Sequence, residues 1–158
     1  MSIETWQPGM FERPCGGCTM CCKLPAAPPP LDKPAGEWCK HCDKGRGCRI
    51  YDQRPQGCVD FMCLWKVMPD IPKELRPDRC KVIWRMSEDG RTVLAMTEYP
   101  GALNAKAQEM LIRRFLRLGI SVILSDSRSG QTAGVSLALG NSRGEVARSM
   151  AGRAASTM

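Results

Sequence analysis

Nine cysteines lie within 49 residues, from Cys15 to Cys63, and they constrain the fold of this chain more than any other feature of its sequence. The same stretch is rich in proline and glycine and has no periodic apolar pattern, so hydrophobic burial alone is a poor way to fold it. Segments of this size usually need disulfides or bound metal to hold them together. Which of the two applies depends on the compartment.

The N-terminal residues MSIETWQPGMFERP have no basic segment, apolar segment or small-residue cleavage site, so we expect no secretory signal. The longest clear apolar run, 120–124, is far shorter than the roughly 20 residues of a membrane span, so no membrane partner is expected. These features predict a cytoplasmic protein. Thiols stay reduced in the cytosol, where clustered cysteines are more often metal ligands or catalytic groups than disulfides.

The first cysteine group reads Cys15-Gly-Gly-Cys18-Thr-Met-Cys21-Cys22. A CxxC loop brings two sulfurs onto one ion with little strain, and glycines let the backbone turn around that ion. The loop occurs here twice in overlap and ends in a vicinal pair. Because adjacent side chains usually diverge, Cys21 and Cys22 are predicted to serve different metals.

The second group contains another CxxC, formed by Cys39 and Cys42, followed by three more cysteines. Cys58 and Cys63 are five residues apart, so a helix cannot present both on one face, and one of them must lie at a helix end. Nine thiolates at four per ion predict two metal sites, or a bridged cluster if sulfurs are shared. The candidate ligands are Cys15, Cys18, Cys21, Cys22, Cys39, Cys42, Cys48, Cys58 and Cys63.

The single histidine, His41, narrows the identity of the metal. It excludes a catalytic zinc site with two or three histidine ligands, and also the non-haem iron site built on two histidines and a carboxylate. Sulfur-rich coordination leaves tetrahedral zinc, an iron–sulfur cluster or Cu(I). The C-x2-C-x2-C run also occurs in bacterial ferredoxins, but Val59 stands where their motif has proline after the last cysteine. Zinc is therefore the first expectation, with iron or an iron–sulfur cluster as the alternative.

The formal charge of +7 counts every thiol as neutral, whereas metal-bound cysteines are thiolates. Two tetrathiolate sites with divalent ions would lower the charge to +3. Residues 1–63 contain eight Lys or Arg and seven Asp or Glu, against fifteen and nine in residues 64–158. Any basic patch is thus expected in the C-terminal half, and the charge is weak evidence for a nucleic-acid partner, which stays an open alternative.

Beyond the cysteines the sequence predicts a small α+β fold, in which a loop-rich, metal-stapled region (1–68) packs on an α+β unit (69–139). That unit comprises a hairpin, a helix and two further strands. A short helix is expected from Arg54-Pro55 through Cys63 and Trp65. The other predicted elements are hairpin strands 80–86 and 91–98, a helix from Asn104 to Leu118 ended by Gly119, strands 120–125 and 135–139, and a flexible tail, 140–158.

Three motifs, CGGCTMCC, WCKHC and GCRIYDQRPQGCVDFMC, together resemble the CxxCxxCC family of bacterial cysteine-cluster proteins (the YkgJ type), over roughly residues 15–65. Its members are described as zinc- or iron-chelating, and a similar cysteine motif occurs in an enzyme that methylates flagellin lysines. The resemblance implies metal chelation, with Cys42 as an addition to the family's pattern. The matching positions are Cys15, Cys18, Cys21, Cys22, Cys39, Cys48, Cys58 and Cys63.

The sequence therefore predicts a zinc-binding protein with a structural role or a role in docking a protein partner. Two alternatives remain open: an iron–sulfur redox or radical-type enzyme, and a metal storage or delivery protein. No nucleophile–base pair or phosphate-binding loop is visible, so enzyme activity is left undecided. Cys80 is expected to be a core thiol, His41 exposed or adjacent to the ligands, and Arg54 a turn-stabilising residue.

Overall fold

The computed structural model describes residues 13–135 and has an α+β fold, as the sequence predicts. Cysteine-rich loops come first and include a two-stranded hairpin, β1 (Cys42–Asp43) and β2 (Gly47–Cys48). Three single-turn helices follow: α1 (Gln56–Val59), α2 (Leu64–Val67) and α3 (Pro77–Cys80). The rest of the described chain builds a sheet from β3 (Val82–Met86), β4 (Thr92–Thr97), β5 (Ser121–Asp126) and β6 (Thr132–Val135), with helix α4 (Lys106–Arg117) between β4 and β5.

The predicted hairpin forms: β3 and β4 pair antiparallel across the turn at 87–91. The chain then crosses through α4 and returns as β5, which lies parallel to β4, and β6 pairs antiparallel with β5. Strands in the described part of the chain therefore lie in the order β3-β4-β5-β6. The last predicted strand, 135–139, is only partly described. Its first residue ends β6, while residues 136–139 and the predicted tail lie outside the described residues.

Apolar side chains cover both faces of this sheet, because neighbouring residues of a strand point to opposite sides. Val82 and Trp84 of β3 join a large core with Phe115 of α4, and all three are fully buried. Ile83, between them, points the other way and packs with the loop residue Met20. Helix α4 therefore covers one face of the sheet, and the cysteine loops cover the other.

The helix predicted from Arg54-Pro55 through Trp65 is wrong at residues 60–63, where the chain is not helical. Phe61 packs against the loop-side cluster, whereas Met62 packs against the large core. An extended segment can send adjacent side chains to opposite sides, and a helix cannot. Cys63 immediately precedes α2, in agreement with the expectation that one of the last two cysteines lies at a helix end.

Helix α4 begins two residues after the predicted cap at Asn104. The side chain of Gln108 organises this end instead. Its amide oxygen accepts from the Ala105 N–H at 3.0 Å, and its amide nitrogen donates to the Ala102 carbonyl at 3.0 Å. Gln108 is buried, so these bonds satisfy polar atoms that would otherwise destabilise the core.

Helix α2 belongs structurally to the sheet, since Leu64, Trp65 and Val67 are buried in the large core. The predicted division of the chain at residue 68 stays a prediction. Within residues 13–135, no helix is both long and apolar enough to cross a membrane.

Candidate metal centre

The first cysteine group forms two consecutive tight turns. The Cys18 N–H donates to the Cys15 carbonyl at 3.1 Å, and the Cys22 N–H donates to the Thr19 carbonyl at 2.9 Å. Gly16 has a φ of +57°, a left-handed conformation that costs glycine little and other residues more. The left-handed backbone at this position therefore explains why the CxxC loop has a glycine there.

The second group lies on and beside the β1–β2 hairpin. The Cys42 N–H donates to the Cys39 carbonyl at 3.0 Å, which closes the CxxC turn that leads into β1. Cys42 of β1 is then directly opposite Cys48 of β2 in the antiparallel register. Three cysteines separated by up to nine positions are thus brought together by one short hairpin.

The two groups are held against each other by backbone contacts. The Cys39 N–H donates to the Cys22 carbonyl at 2.8 Å, and the Gly45 N–H donates to Thr19 Oγ1 at 3.2 Å. A Cβ added at Gly17 would lie only 2.7 Å from the Gly45 carbonyl oxygen. The first loop therefore approaches the hairpin as closely as glycine alone permits.

Four cysteines line a small cleft with a volume of about 30 Å³, here called the outer group. A cleft of this size can hold a water-sized ion. Cys15 and Cys21 are exposed, whereas the other two are half-buried. The outer group is Cys15, Cys18, Cys21 and Cys63, bordered by Trp65, Lys66, Pro77 and Ile83.

The remaining five candidates, here called the inner group, come from the hairpin, from α1 and from Cys22. The thiols of Cys22 and Cys42 are hydrogen-bonded to each other. Burial raises the pKa of the Cys58 thiol of α1, and the charges of Cys21 in the outer group and of Cys39 and Cys48 raise it further. The inner group is Cys22, Cys39, Cys42, Cys48 and Cys58, and none of its members is exposed.

Cys21 and Cys22 belong to different groups, yet their thiols share a hydrogen bond. This bond lowers the pKa of Cys21 to about 7 and raises that of Cys22, so Cys21 is the more acidic thiol of the pair. Burial raises the pKa of the Cys63 thiol to about 12 and also raises the pKa of Cys18. A metal that binds these thiols at neutral pH must displace their protons.

Within residues 13–135, no three cysteine, histidine or carboxylate side chains are arranged as a group that could hold a metal ion as they stand. The nine cysteines nevertheless supply the sulfur donors that a thiophilic ion prefers. Loading would require the thiols to lose protons and rotate inward. The assignment of the nine ligands stays a prediction.

Three cations lie near the sulfurs, and the spacing of the cysteines gives no sign of two of them. Buried Lys33 interacts electrostatically with the inner group. Arg76 donates two hydrogen bonds of 2.6 Å to the Asp78 carboxylate and interacts more weakly with Cys18 and Cys15. Arg54 stacks over the Tyr51 ring at 3.8 Å and acts to lower the pKa of Cys21 and Cys58. Such charges favour thiolates.

Lys33 was not recognised because lysine is normally a solvated residue. It is only 8% exposed, and its ammonium donates to four backbone carbonyls at 2.6 to 2.9 Å. They belong to residues on both sides of a proline-rich segment, 26–33, here called the spacer. The spacer is therefore wrapped around a cation rather than extended. The acceptors are the carbonyls of Lys23, Pro25, Pro34 and Glu37.

Cys80 lies outside both groups. Its thiol donates weakly to the carbonyls of Leu75 at 3.4 Å and Val82 at 3.3 Å, and it packs against the large core. Burial raises its pKa to about 11, so it remains a neutral thiol. These contacts favour the expectation of a core thiol.

No protein-family model, curated protein or solved structure matches this chain. The resemblance of the cysteine motif to the CxxCxxCC family therefore stays a prediction.

The two groups predict a ranking of cysteine substitutions. Cys18→Ser and Cys58→Ser should each lower metal content and yield aggregated or unfolded protein, because each removes a thiolate that ties separate loops together. Cys80→Ser should keep full metal content and cost about 1–2 kcal/mol. Cys42→Ser tests whether the inner group holds a spare ligand. Elemental analysis of protein purified without oxygen measures the metal content of all four variants. Loss of metal from Cys80→Ser, with retention in the other two, would refute the ranking.

Proposed function

We propose that this protein binds thiophilic metal, zinc in the first place, at two adjoining cysteine sites that staple its N-terminal loops to the sheet. The observation that carries this proposal is that four cysteines line one cleft, while Cys39, Cys42 and Cys48 lie on and beside one hairpin. Tetrahedral zinc takes four sulfurs, so the nine cysteines are enough donors for two sites. The inner group has one sulfur to spare or to share.

The surroundings support this proposal because they neutralise negative charge. A zinc ion with four thiolates carries a net charge of −2, and such a site is stable in a protein when hydrogen bonds and cations offset it. Lys33 lies beside the inner group and can offset its charge, whereas Arg76, near the outer group, is paired with Asp78. The role we assign to the metal is structural, with docking of a protein partner as a further use in a reducing, cytoplasmic setting.

An iron–sulfur centre is the second candidate, and Trp65 is the observation that favours it. The indole lines the outer cleft, and its buried Nε1–H has no hydrogen-bond partner among residues 13–135. Hydrogen bonds to sulfur adjust the potential of iron–sulfur clusters, so a donor in this place has a use there. When bound, such a cluster would supply electron transfer, and the cysteines would hold it.

Metal content separates these two candidates. For protein purified without oxygen, we expect two zinc ions per chain and no visible absorption. Brown protein with iron and acid-labile sulfide would favour the cluster instead. A fully loaded chain with a single zinc ion would contradict the two-site proposal.

A further inference from the structure

Cys42 and Cys48 face each other across the β1–β2 hairpin. They are partners in its antiparallel register, and the Arg49 N–H of the next pair outward donates to the His41 carbonyl at 2.9 Å. Hydrogen-bonded and non-hydrogen-bonded pairs alternate along an antiparallel ladder. Cys42 and Cys48 are therefore a non-hydrogen-bonded pair, the kind in which opposite side chains lie closest together.

The backbone of such a pair suits a disulfide. The Cα atoms of a non-hydrogen-bonded pair are typically about 4.5 Å apart, and disulfides join Cα atoms about 4.4–6.8 Å apart. The turn of the hairpin is closed by the Arg46 N–H, which donates to the Asp43 carbonyl at 2.9 Å. Because the strands are held on both sides of the two cysteines, a bond between their sulfurs requires rotation of side chains rather than movement of the backbone.

The two thiols differ in access to solvent. Cys48 is half-buried, whereas Cys42 is only 7% exposed and its thiol is hydrogen-bonded to that of Cys22. An oxidant from solution therefore reaches Cys48 more easily than Cys42. Cys22 is the competing partner for Cys42, but it lies in a single 3-10 turn (Met20–Cys22), whereas the strand paired with β1 carries Cys48.

We propose that Cys42 and Cys48 are a thiol–disulfide redox pair, oxidised by small disulfides of the glutathione type. The Cys48 thiolate attacks one sulfur of the oxidant, forms a mixed disulfide and releases one thiolate. The Cys42 thiolate then attacks the Cys48 sulfur, the bond to the oxidant breaks, and the second thiolate leaves. The two cysteines lose two electrons, the oxidant gains them, and the two thiol protons pass to the released thiolates.

This inference does not rest on the proposed function, because it concerns two thiols and not a bound ion. It does bear on the inner group. Once Cys42 and Cys48 are joined, three of the five inner sulfurs remain, fewer than the four that a tetrahedral zinc ion takes. Oxidation of the hairpin and a four-sulfur site in the inner group therefore exclude each other.

The test treats the full chain, purified without oxygen, with an excess of oxidised glutathione, and then alkylates the remaining thiols. Trypsin cuts after Lys44 and Arg46, between the two cysteines, so mass spectrometry identifies their bond as a linked pair of peptides. We expect this bond to be the first protein disulfide to form. In guanidinium chloride the shorter CxxC loops should close first instead, because the hairpin register no longer selects the pair.

Gly47 offers a variant that keeps every thiol. Its φ of +149° favours glycine, so Gly47→Val should strain the hairpin and lower the yield of the Cys42–Cys48 bond at least about fivefold. Gly57→Val is the matched control and should leave the yield unchanged. A Cβ at either position meets no atom within 4 Å, and of these two glycines only Gly47 has a positive φ.

A first disulfide that joins Cys42 to Cys22 or to Cys39 would overturn the proposal, and so would a folded chain in which no disulfide forms. Equal yields of the Cys42–Cys48 bond in folded and unfolded chain would also overturn it, because the register would then have no part in selecting the pair. Metal content is measured separately, so each of these failures leaves two-site binding standing.

Discussion

Removal of all metal is expected to unfold residues 13–63 while the sheet and α4 remain folded. In this stretch, the buried apolar side chains are Met20, Leu24 and Cys42, which is too little for a core. Zinc binding supplies roughly 10–16 kcal/mol in small zinc domains, far more than these contacts can replace. Amide spectra of the chelated protein should show collapsed dispersion for 13–63 and native dispersion for β3–β5.

The control for this experiment is re-addition of zinc, which should restore the native amide spectrum. Seventeen residues form the large core. Five of them lie between Leu64 and Leu75, and the other twelve lie in the sheet, in α4 or in the loops that join them. None of these seventeen residues is a cysteine, although Cys63 and Cys80 pack against them. Dispersed signals for 13–63 after complete chelation would show that metal does not fold the loops.

Lys33→Met is expected to destabilise the metal-loaded protein by about 3–5 kcal/mol. The substitution keeps much of the side-chain volume but leaves four carbonyls without their donor. Each buried polar group left unpaired costs about 1–3 kcal/mol, and water will satisfy some of them again. The measurement is the free energy of unfolding in urea.

Lys40→Met is the matched control, since Lys40 is exposed and its side chain has no such set of carbonyls. It should change stability by less than about 0.5 kcal/mol. A Lys33→Met protein as stable as Lys40→Met would show that the ammonium does not organise the spacer.

The elements of the sheet were predictable because their patterns are local. β3 and β4 are rich in β-branched and large apolar residues and are separated by Ser87 to Gly90, and α4 has apolar residues at helical spacing. The break at residues 60–63 was not predictable, because it depends on two packing surfaces that exist only after the sheet forms. Propensity carries no information on which side of a future sheet Phe61 will face.

The cysteine site was partly predictable. Spacing predicted that Cys21 and Cys22 would diverge toward different metals, whereas their thiols share a hydrogen bond, and their assignment to different metals stays a prediction. The partition into four and five was not available from sequence, because Cys63 joins the first loop through tertiary packing beside Ile83. The buried position of Lys33 was not predictable, because its ammonium binds four backbone carbonyls. Every residue type has such a carbonyl, so the sequence does not show where they will meet.

The apolar covering on both faces of the sheet has a consequence for the fate of the protein in a cell short of metal. Ile83 and Met96 are shielded by Met20 and Leu24 of the cysteine loops. If those loops detach when metal is lost, an apolar surface becomes exposed on an otherwise folded protein. Chaperones and proteases recognise such surfaces, so the abundance of this protein would follow the supply of its metal.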